Sequence, residues 1–305
     1  MGKSKKELKK APTKALKKAE PVSITQTLTV PQGSVSLADY ETRATPGFTG
    51  DKADGRAALT DMGKVLSEFQ ERLFAEGQSG GNGRILLVLQ GMDTSGKGGV
   101  MRHAGGLFDP QGVHIKAFKA PTAEERRHGF LWRIRRELPE AGKIGIFDRS
   151  HYEDVLIGRV RGLAAASTIG KRYDSINAFE EKLVDSGTTV IKAMLHISPE
   201  KQKERLLARL ADPTKYWKYQ PGDLEERAMW SDYQRAYEIA LERCNTDAAP
   251  WLIVPSDRKW YRNWAIASVL RETLEGMGLS WPGAAFDVEE QRRLLTASDP
   301  TRESD

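Results

Sequence analysis

The chain has one cysteine and no long apolar run, and these two absences exclude several classes of protein. Because Cys244 is the only cysteine among 305 residues, a disulfide framework cannot form, and we expect a cytoplasmic location. No stretch of 18 apolar residues exists, so we expect no membrane-spanning helix. The five histidines are scattered without metal-ligand spacing. Apolar residues still make up 39% of the chain, which is enough for a packed globular core.

The net charge of +5 is concentrated at the N-terminus. Residues 1–18 hold eight lysines and one acid, a net +7, so the rest of the chain carries a net −2. Such a charge run is typical of a disordered, solvated tail, which we predict over residues 1–30. Electrostatic capture of a polyanion is the alternative interpretation of this tail. Because the body is near neutral, we expect no specific binding of nucleic acid.

Short apolar runs alternate with helical patterns over the middle of the chain. Near-continuous apolar runs are typical of strands buried on both faces, and their alternation with helices predicts a parallel sheet. We therefore predict an α/β domain over residues 31–283, with helices on both faces of a five-stranded sheet, and a polar tail over 284–305. The predicted strands are Ile85–Leu89, Val113–Phe118, Ile144–Phe147, Val190–Ile197 and Leu252–Val254, and the predicted helices cover 56–76, 97–108, 122–138, 151–186, 199–245 and 260–276.

A glycine-rich loop directly follows the first predicted strand. Its form, glycine, four residues and then glycine-lysine, is the pattern of a phosphate-binding P-loop. Backbone N–H groups of such a loop converge on phosphate oxygens, and Lys97 adds a positive charge. Gly98 stands where a serine or threonine usually binds Mg²⁺, so the carboxylate of Asp93 is the candidate ligand. The predicted phosphate-binding residues of the loop are Gly91, Thr94, Ser95, Gly96, Gly98 and Gly99.

The third predicted strand ends in an acid and a base, Asp148 and Arg149. The carboxyl end of a buried parallel strand lies at the sheet edge where open α/β folds bind ligands. Asp148 is therefore a candidate second ligand of Mg²⁺, and Arg149 is a candidate for neutralising phosphoryl oxygens. Lys119, which follows the second strand, points to the same edge.

A cation-rich segment at about 205–225 predicts a lid over the phosphate loop. Arg205 and Arg209 are four residues apart and so share one face of a helix. Lys215 and Lys218 flank Trp217 in a short insert between two prolines. Such a lid would exclude water and bring positive charge to the transferring group. A solvated helix with salt bridges is the alternative, and Trp217 is equally consistent with a base-stacking residue and a core anchor.

These motifs together resemble the polyphosphate kinase 2 family over about residues 50–270. The resemblance lies in the P-loop stretch QGMDTSGKGG, in FKAPT, in GIFDRSHYEDVL, in RLADPTKYWK and in DRKWYRNWA. It implies a thymidylate-kinase-like fold with a helical lid, and Mg²⁺-dependent phosphoryl transfer between polyphosphate and nucleotides. It also implies functional roles for Asp93, Lys97, Asp148, Arg149, Arg159, Arg205, Arg209, Lys215 and Lys218.

The nucleotide acceptor is the finest prediction that the sequence supports. The stretch SHYEDVL resembles the subclass that acts on both nucleoside monophosphates and diphosphates, although Asp148 stands where that subclass has asparagine. The charge of Asp148, offset by Mg²⁺ or Arg149, favours the more highly charged ADP over AMP. We expect in-line transfer without a covalent intermediate, adenine nucleotides as partners and a homo-oligomer. The alternatives are an ATP-dependent nucleotide or metabolite kinase and a non-catalytic polyanion-binding protein.

Overall fold

Five parallel strands form the centre of the structure, which is a computed structural model that describes residues 23–298. They lie in the order β2-β3-β1-β4-β5, and every neighbouring pair is parallel. Each strand agrees with its predicted apolar run to within two residues at either end, which confirms the predicted α/β class. The strands are β1 (Arg84–Gln90), β2 (Val113–Ala117), β3 (Ile144–Asp148), β4 (Thr188–His196) and β5 (Trp251–Pro255).

Helices cover both faces of this sheet, as the sequence predicted. Alternate residues of β1 divide between two apolar cores: Leu86 and Val88 face one, and Ile85, Leu87 and Leu89 face the other. No helix in the described part is both long enough and apolar enough to cross a bilayer. The helices are α1 (Ile24–Leu28), α2 (Lys52–Gln78), α3 (Lys97–His103), α4 (Trp132–Arg135), α5 (Ile157–Val160), α6 (Ala166–Asp185), α7 (Pro199–Leu210), α8 (Gly222–Ala228), α9 (Trp230–Arg243), α10 (Lys259–Gly276) and α11 (Val288–Ala297).

The first face carries α6 and α9, and the second carries α2, α3 and α10. Tyr173 and Ile176 of α6 belong to the first core, and Leu66 of α2 and Ile266 of α10 belong to the second. Because β1 is the middle strand, the segment that leaves it emerges at the centre of the carboxyl edge. The ends of β3 and β4 lie on either side of that segment. This arrangement places the predicted phosphate loop between the segments that follow β3 and β4.

The predicted continuous helix over 122–138 is wrong. The structure has there a 3-10 turn at Glu125–Arg127 and the four-residue α4. Side-chain donors hold the segment in turns: Arg126 Nη1 donates to the Pro121 carbonyl (2.6 Å), and Arg133 Nη1 donates to the Lys119 carbonyl (2.7 Å). The apolar spacing predicted a helix because it could not report these contacts. The longer predicted helices 151–186 and 199–245 are also divided, into α5 and α6 and into α7, α8 and α9.

Residues 23–30, which the sequence assigns to a disordered tail, are packed against the domain. Residues 23–30 pack against α10 and β5, and Ile24 and Val30 are buried. Glu272 of α10 accepts hydrogen bonds from the Ser23 hydroxyl (2.8 Å) and the Ile24 N–H (2.8 Å). Val30 N–H donates to the Trp251 carbonyl (2.8 Å). The prediction is therefore wrong for residues 23–30, whose apolar side chains reach the core; residues 1–22 lie outside the described residues.

The C-terminal segment predicted as a polar tail over 284–305 contains the helix α11. Asp287 caps this helix by accepting a hydrogen bond from the Glu290 N–H (3.0 Å). None of its residues is buried, which agrees with the polar character of the segment. Residues 299–305 lie outside the described residues.

Candidate functional site

The phosphate loop joins β1 to α3 and has the backbone shape of an anion cradle. Gly91, at φ +145°, cannot be replaced, because a Cβ there would lie 2.7 Å from the Leu195 carbonyl oxygen. Gly96 caps α3 at φ +112°. Thr94 adopts φ +64°, a left-handed conformation that is costly for a residue with a branched Cβ. Strain of this kind persists where the surrounding structure fixes it, and it is common at functional sites.

Two hydroxyls of the loop have no partner in the protein. Thr94 Oγ1 and Ser95 Oγ are both buried and make no hydrogen bond. A buried hydroxyl that lacks a partner is costly unless a ligand supplies one. The sequence predicts that both hydroxyls contact phosphate, and both are therefore available to a bound ligand.

Lys97 begins α3 and bends back across the loop. Its side chain is buried, and Nζ donates to the Gly91 carbonyl (2.6 Å). An ammonium group has three donors, so this contact leaves capacity for phosphate oxygens. Lys97 therefore lies where the P-loop pattern predicts it.

The end of β3 brings the predicted acid and base next to the loop. Arg149 adopts φ +66°, and its N–H donates to the Leu89 carbonyl (3.0 Å). Its Nη2 donates to Asp93 Oδ1 (3.3 Å), so the two predicted residues pair directly. Burial alone would lower the pKa of Arg149, but the carboxylates of Glu153, Asp93 and Asp148 together raise it. The guanidinium is thus charged and surrounded by acids at the mouth of the loop.

The surroundings of the Asp148 carboxylate are suitable for a metal ligand. Its Oδ1 is buried and has no hydrogen-bond partner. An unpartnered carboxylate oxygen beside a second carboxylate, Asp93, suits a hard cation such as Mg²⁺. Within residues 23–298 no group of three or more His, Cys, Asp or Glu could hold a metal, so protein ligands alone would not complete the shell. Mg²⁺ commonly takes its remaining ligands from water and substrate phosphates.

A cavity of about 270 Å³ opens between the loop, the end of β3 and the lid segment. It is close to the lower end of the volumes that small-molecule sites occupy, about 300 Å³. One wall is apolar, with Leu156 and Ile157, and the other carries charged and aromatic side chains. The polar and aromatic residues that line it are Asp93, Arg149, Glu153, Gln202, Gln220, Asp223, Glu226, Tyr233 and Tyr237.

Seven of these nine residues, all except Asp93 and Arg149, are absent from the sequence-based predictions. Burial raises the pKa of Glu153, although Arg149 and Lys97 act in the opposite direction. Burial, together with the nearby charge of Asp93, also raises the pKa of Asp223. Tyr237 accepts a hydrogen bond from the Gly91 N–H (3.0 Å). Glu153 lies within the stretch GIFDRSHYEDVL, whereas Asp223 and Tyr237 stand in helical segments without a motif, so only the fold identifies these two.

The remaining predicted cations do not all face the loop. Arg205 lies behind it, where its guanidinium donates to the carbonyls of Thr94 (2.7 Å) and Ser95 (3.1 Å). It also donates to the carbonyls of Ser256 (2.6 Å) and Asp257 (3.0 Å). Four carbonyl acceptors use most of the donors of one guanidinium. Arg205 therefore supports the loop from behind, and it fixes α7 to the loop.

The other lid cations make contacts within the lid. Arg209 Nη1 donates to the Lys218 carbonyl (2.7 Å) and pairs with Asp223 (3.5 Å), and Lys215 pairs with Asp212 (2.5 Å). Lys218 Nζ lies 4.8 Å from the ring centre of Trp217. Trp217 is 73% exposed, which excludes the core-anchor alternative.

Two further predicted cations, Lys119 and Arg159, are exposed. Lys119 follows β2 at the carboxyl edge of the sheet, and Arg159 lies on α5. Neither makes a side-chain hydrogen bond or an ion pair with Asp93, Lys97 or Arg149 in the described part of the chain.

A buried ionic network lies beneath the turn that follows Arg149. Lys192 of β4 donates to Glu180 Oε2 (2.6 Å), to the Tyr152 hydroxyl (3.0 Å) and to the Cys244 carbonyl (2.6 Å). The other Glu180 oxygen accepts from Tyr152 (2.8 Å) and lies 3.1 Å from His151 Nε2. Lys192, Glu180 and His151 are fully buried. The network therefore fixes His151 and Tyr152, which closely follow the end of β3.

Comparisons with known proteins agree with this geometry. Residues 49–280 match the family model described as polyphosphate kinase 2. The chain is 42% identical to the AMP/ADP-polyphosphate phosphotransferase of Meiothermus ruber over 83% of this chain and 93% of that protein. It is 38% identical to the ADP-polyphosphate phosphotransferase of Rhodopseudomonas palustris, over 81% and 88%. The crystal structure of polyphosphate kinase 2 from Arthrobacter aurescens TC1 superposes with a TM-score of 0.89 at 52% identity, covering 91% of this chain and 98% of that one.

Proposed function

The chain belongs to the polyphosphate kinase 2 family, and we propose that it transfers phosphoryl groups between inorganic polyphosphate and nucleoside di- or monophosphates. The observation that carries this proposal is a phosphate loop with unpartnered hydroxyls, next to a buried carboxylate oxygen without a partner and the charged Arg149. A protein that only binds polyanions has no use for paired acids at the loop. An ordinary ATP-dependent kinase is disfavoured, because the relatives are named for polyphosphate.

The residues at the loop supply positioning and electrostatic stabilisation. The backbone N–H groups of the loop and Lys97 hold the phosphoryl group that moves, and Arg149 offsets the charge that spreads over its equatorial oxygens. The cavity beside them holds the terminal phosphate of the nucleotide in line with the end of the polyphosphate. Bringing the two reactants together in this way removes much of the entropic part of the barrier.

Asp93 and Asp148 fit Mg²⁺ as the ligands from the protein. Asp93 pairs with Arg149, Asp148 directly precedes Arg149 in the chain, and both carboxylates raise the pKa of Arg149. When bound, Mg²⁺ neutralises charge on the phosphate oxygens. The two acids would hold the cation, and Arg149 holds the Asp93 carboxylate in position through their 3.3 Å contact.

The lid cations are proposed to reach the polyphosphate chain when the lid closes. Arg209, Lys215 and Lys218 make only exposed or partly buried contacts within the lid, and such ion pairs are weak. A polyanion would therefore compete for them at little cost. Lys119 and Arg159 extend the basic path along the surface. Because Arg205 fixes α7 to the loop, we place the moving part of the lid after Arg205.

ADP is proposed as the better acceptor, with AMP also used. Asp148 places a negative charge beside the nucleotide, and the charge of the bound cation and Arg149 must balance it. A diphosphate brings more negative charge to that cation than a monophosphate does. One of the two relatives described above is named for both AMP and ADP and the other for ADP alone, so the preference rests on this electrostatic argument.

The proposal is tested by mixing the purified chain with Mg²⁺, polyphosphate and ADP and measuring ATP. ATP formation that requires polyphosphate supports it, and activity that requires another phosphate donor contradicts it. Specificity constants for ADP and AMP, measured with saturating polyphosphate in wild type and Asp148→Asn, test the acceptor. Asp148→Asn should shift the ratio toward AMP while the total rate falls; wild type preferring AMP would refute the electrostatic argument.

We also propose an oligomeric state and a cellular location for the protein. The C-terminal segment exposes Phe286 and Leu295, at 63% and 76%, and apolar residues of this size are often covered in an oligomer. We propose a homo-oligomer, which analytical ultracentrifugation would test. We also propose that the protein is cytoplasmic, which fractionation of the source cells would test.

A further inference from the structure

Arg262 contacts the phosphate loop from behind. It lies in the first turn of α10, and its side chain is 2% exposed. Nη1 donates to the Ser95 carbonyl (3.0 Å), while Nε and Nη2 donate to Asn263 Oδ1 (3.2 and 2.8 Å). The amide oxygen of Asn263 thus fixes the orientation of the guanidinium against the loop.

The two glycines at the start of α3 make room for this guanidinium. A Cβ at Gly96 would lie 1.7 Å from Arg262 Nη1, and a Cβ at Gly99 would lie 2.4 Å from Nη2. By contrast, a Cβ at Gly98 would meet nothing closer than 3.9 Å. Gly96 and Gly99 are therefore required by contact with Arg262, whereas Gly98 is not.

The positive charge behind the loop has no direct counter-ion. Arg205 and Arg262 both donate to the Ser95 carbonyl, and within residues 23–298 no carboxylate forms an ion pair with either of them. The Asp257 carboxylate is near Arg205 but accepts hydrogen bonds from Ser198. Burial, and then the charge of Arg205, lower the pKa of Arg262 to about 9, so its guanidinium remains charged at neutral pH. A buried charge without a partner is costly.

The group able to balance this charge is an anion in the loop. In a planar trans peptide the Ser95 carbonyl and the Gly96 N–H point in opposite directions, so this N–H faces away from Arg262. Holding that carbonyl fixes the direction of the N–H groups. A bound phosphate chain would then be separated from the guanidiniums of Arg205 and Arg262 only by the phosphate loop. Charges interact strongly across a buried region because its dielectric constant is low.

We propose that Arg262 is a positioning residue for phosphoryl transfer: from behind, it keeps the phosphate loop in its binding shape and supplies a charge that a bound polyphosphate balances. This inference rests on the proposed role of the loop as the phosphate site. It differs from a purely structural role, in which Arg262 only attaches α10 to the loop. In the purely structural case, the binding of an anion would be independent of Arg262 once the chain had folded.

The test compares Arg262→Met and Arg262→Lys with Arg271→Met, a matched control on the same helix whose side chain is 41% exposed. Thermal unfolding is measured with and without inorganic tripolyphosphate, and kcat and KM for polyphosphate are measured at saturating ADP. Arg262→Met should lose about tenfold or more in tripolyphosphate affinity and about 10- to 100-fold in kcat, the scale of lost electrostatic groups. Arg262→Lys should recover the affinity to within a few-fold but not kcat, because an ammonium lacks the planar fork.

Three outcomes separate the possibilities. If tripolyphosphate does not stabilise the wild type, the assignment of the loop as the phosphate site is wrong. If it stabilises wild type and Arg262→Met equally, and kcat per folded molecule is unchanged, the loop assignment stands and the positioning role is refuted. If Arg262→Met does not fold, the Arg262→Lys variant provides the test. A wild-type kcat in Arg262→Lys would refute a positioning role for the planar guanidinium of Arg262.

Discussion

Replacing Lys192 by methionine removes a buried cation from beneath the turn that follows Arg149 and leaves the Glu180 carboxylate without its 2.6 Å partner. Both side chains are fully buried, so water cannot take over the contact. Removing one member of a buried pair typically costs about 3–5 kcal/mol, chiefly because the other charge is left unpaired. The Cys244 carbonyl also loses its donor. We therefore expect a loss of about 3–5 kcal/mol in the free energy of unfolding, or roughly 5–8 °C in Tm for a chain of this length.

The size of this loss should depend on pH. In the wild type, burial acts to raise the pKa of Glu180, but Lys192 and His151 outweigh it and the pKa lies below its usual 4.5. A lowered pKa contributes stability that is present above the unfolded value and is lost as the pH falls through the folded value. Without Lys192, burial should raise the pKa of Glu180, which reverses the sign. The difference between variant and wild type should therefore grow from acid toward neutral pH.

Urea unfolding at about pH 5 and about pH 7.5 measures both effects. The control is Lys182→Met, an exposed lysine in the last turn of α6, which should change stability by no more than about 0.5 kcal/mol. Adding Glu180→Leu to Lys192→Met removes the unpaired charge and should regain much of the loss. A loss under about 1 kcal/mol that is equal at both pH values would show that the ionic network does not stabilise the turn.

Three further predictions concern the loop, the cation and the N-terminus. Lys97→Ala should lower turnover by about 10²- to 10⁴-fold, and turnover within a few-fold of wild type would remove Lys97 from the mechanism. Asp93→Asn and Asp148→Asn should each raise the Mg²⁺ concentration needed for half-maximal rate without changing the far-ultraviolet circular dichroism; an unchanged magnesium titration would exclude that residue as a ligand. Removal of residues 1–22, which are rich in lysine, should change Tm by only a few degrees. Removal of 1–30 should destabilise the fold by several kcal/mol, because it also deletes three buried apolar side chains at about 1.5–3 kcal/mol each; equal Tm values for the two truncations would contradict the packing of 23–30.

The sequence predicted the strands and the centre of the site because both depend on local pattern. Lys97 is fixed by the spacing of the P-loop, and Asp148 by its place at the end of an apolar run. The loop of Lys97 follows β1, and Asp148 ends the neighbouring strand β3, so both residues lie at the carboxyl edge of the sheet.

What the sequence could not predict depends on contacts between distant segments. Arg262 is 167 residues from the Ser95 carbonyl that it holds, and no spacing rule connects them. The sequence predicts Arg205 as a phosphate-binding cation. Helical spacing shows that Arg205 and Arg209 share one face of the helix, but it does not show where that face points. The turns over 122–138 form because arginine side chains bind backbone carbonyls, and an apolar pattern does not record such bonds. The packed residues 23–30 were missed because the lysine-rich sequence before them dominated the composition.

The pairing of the N-terminal segment with β5 also bears on how the protein avoids aggregation. β5 is an outer strand with five buried residues, and Thr29 forms an antiparallel bridge to its Leu252. The segment therefore covers part of a strand edge that could otherwise pair with another molecule. A variant shortened to the start of the predicted domain at residue 31 would expose this apolar edge. We expect such a variant to self-associate through β5. The N-terminal segment would therefore both stabilise the fold and prevent edge-to-edge pairing between molecules.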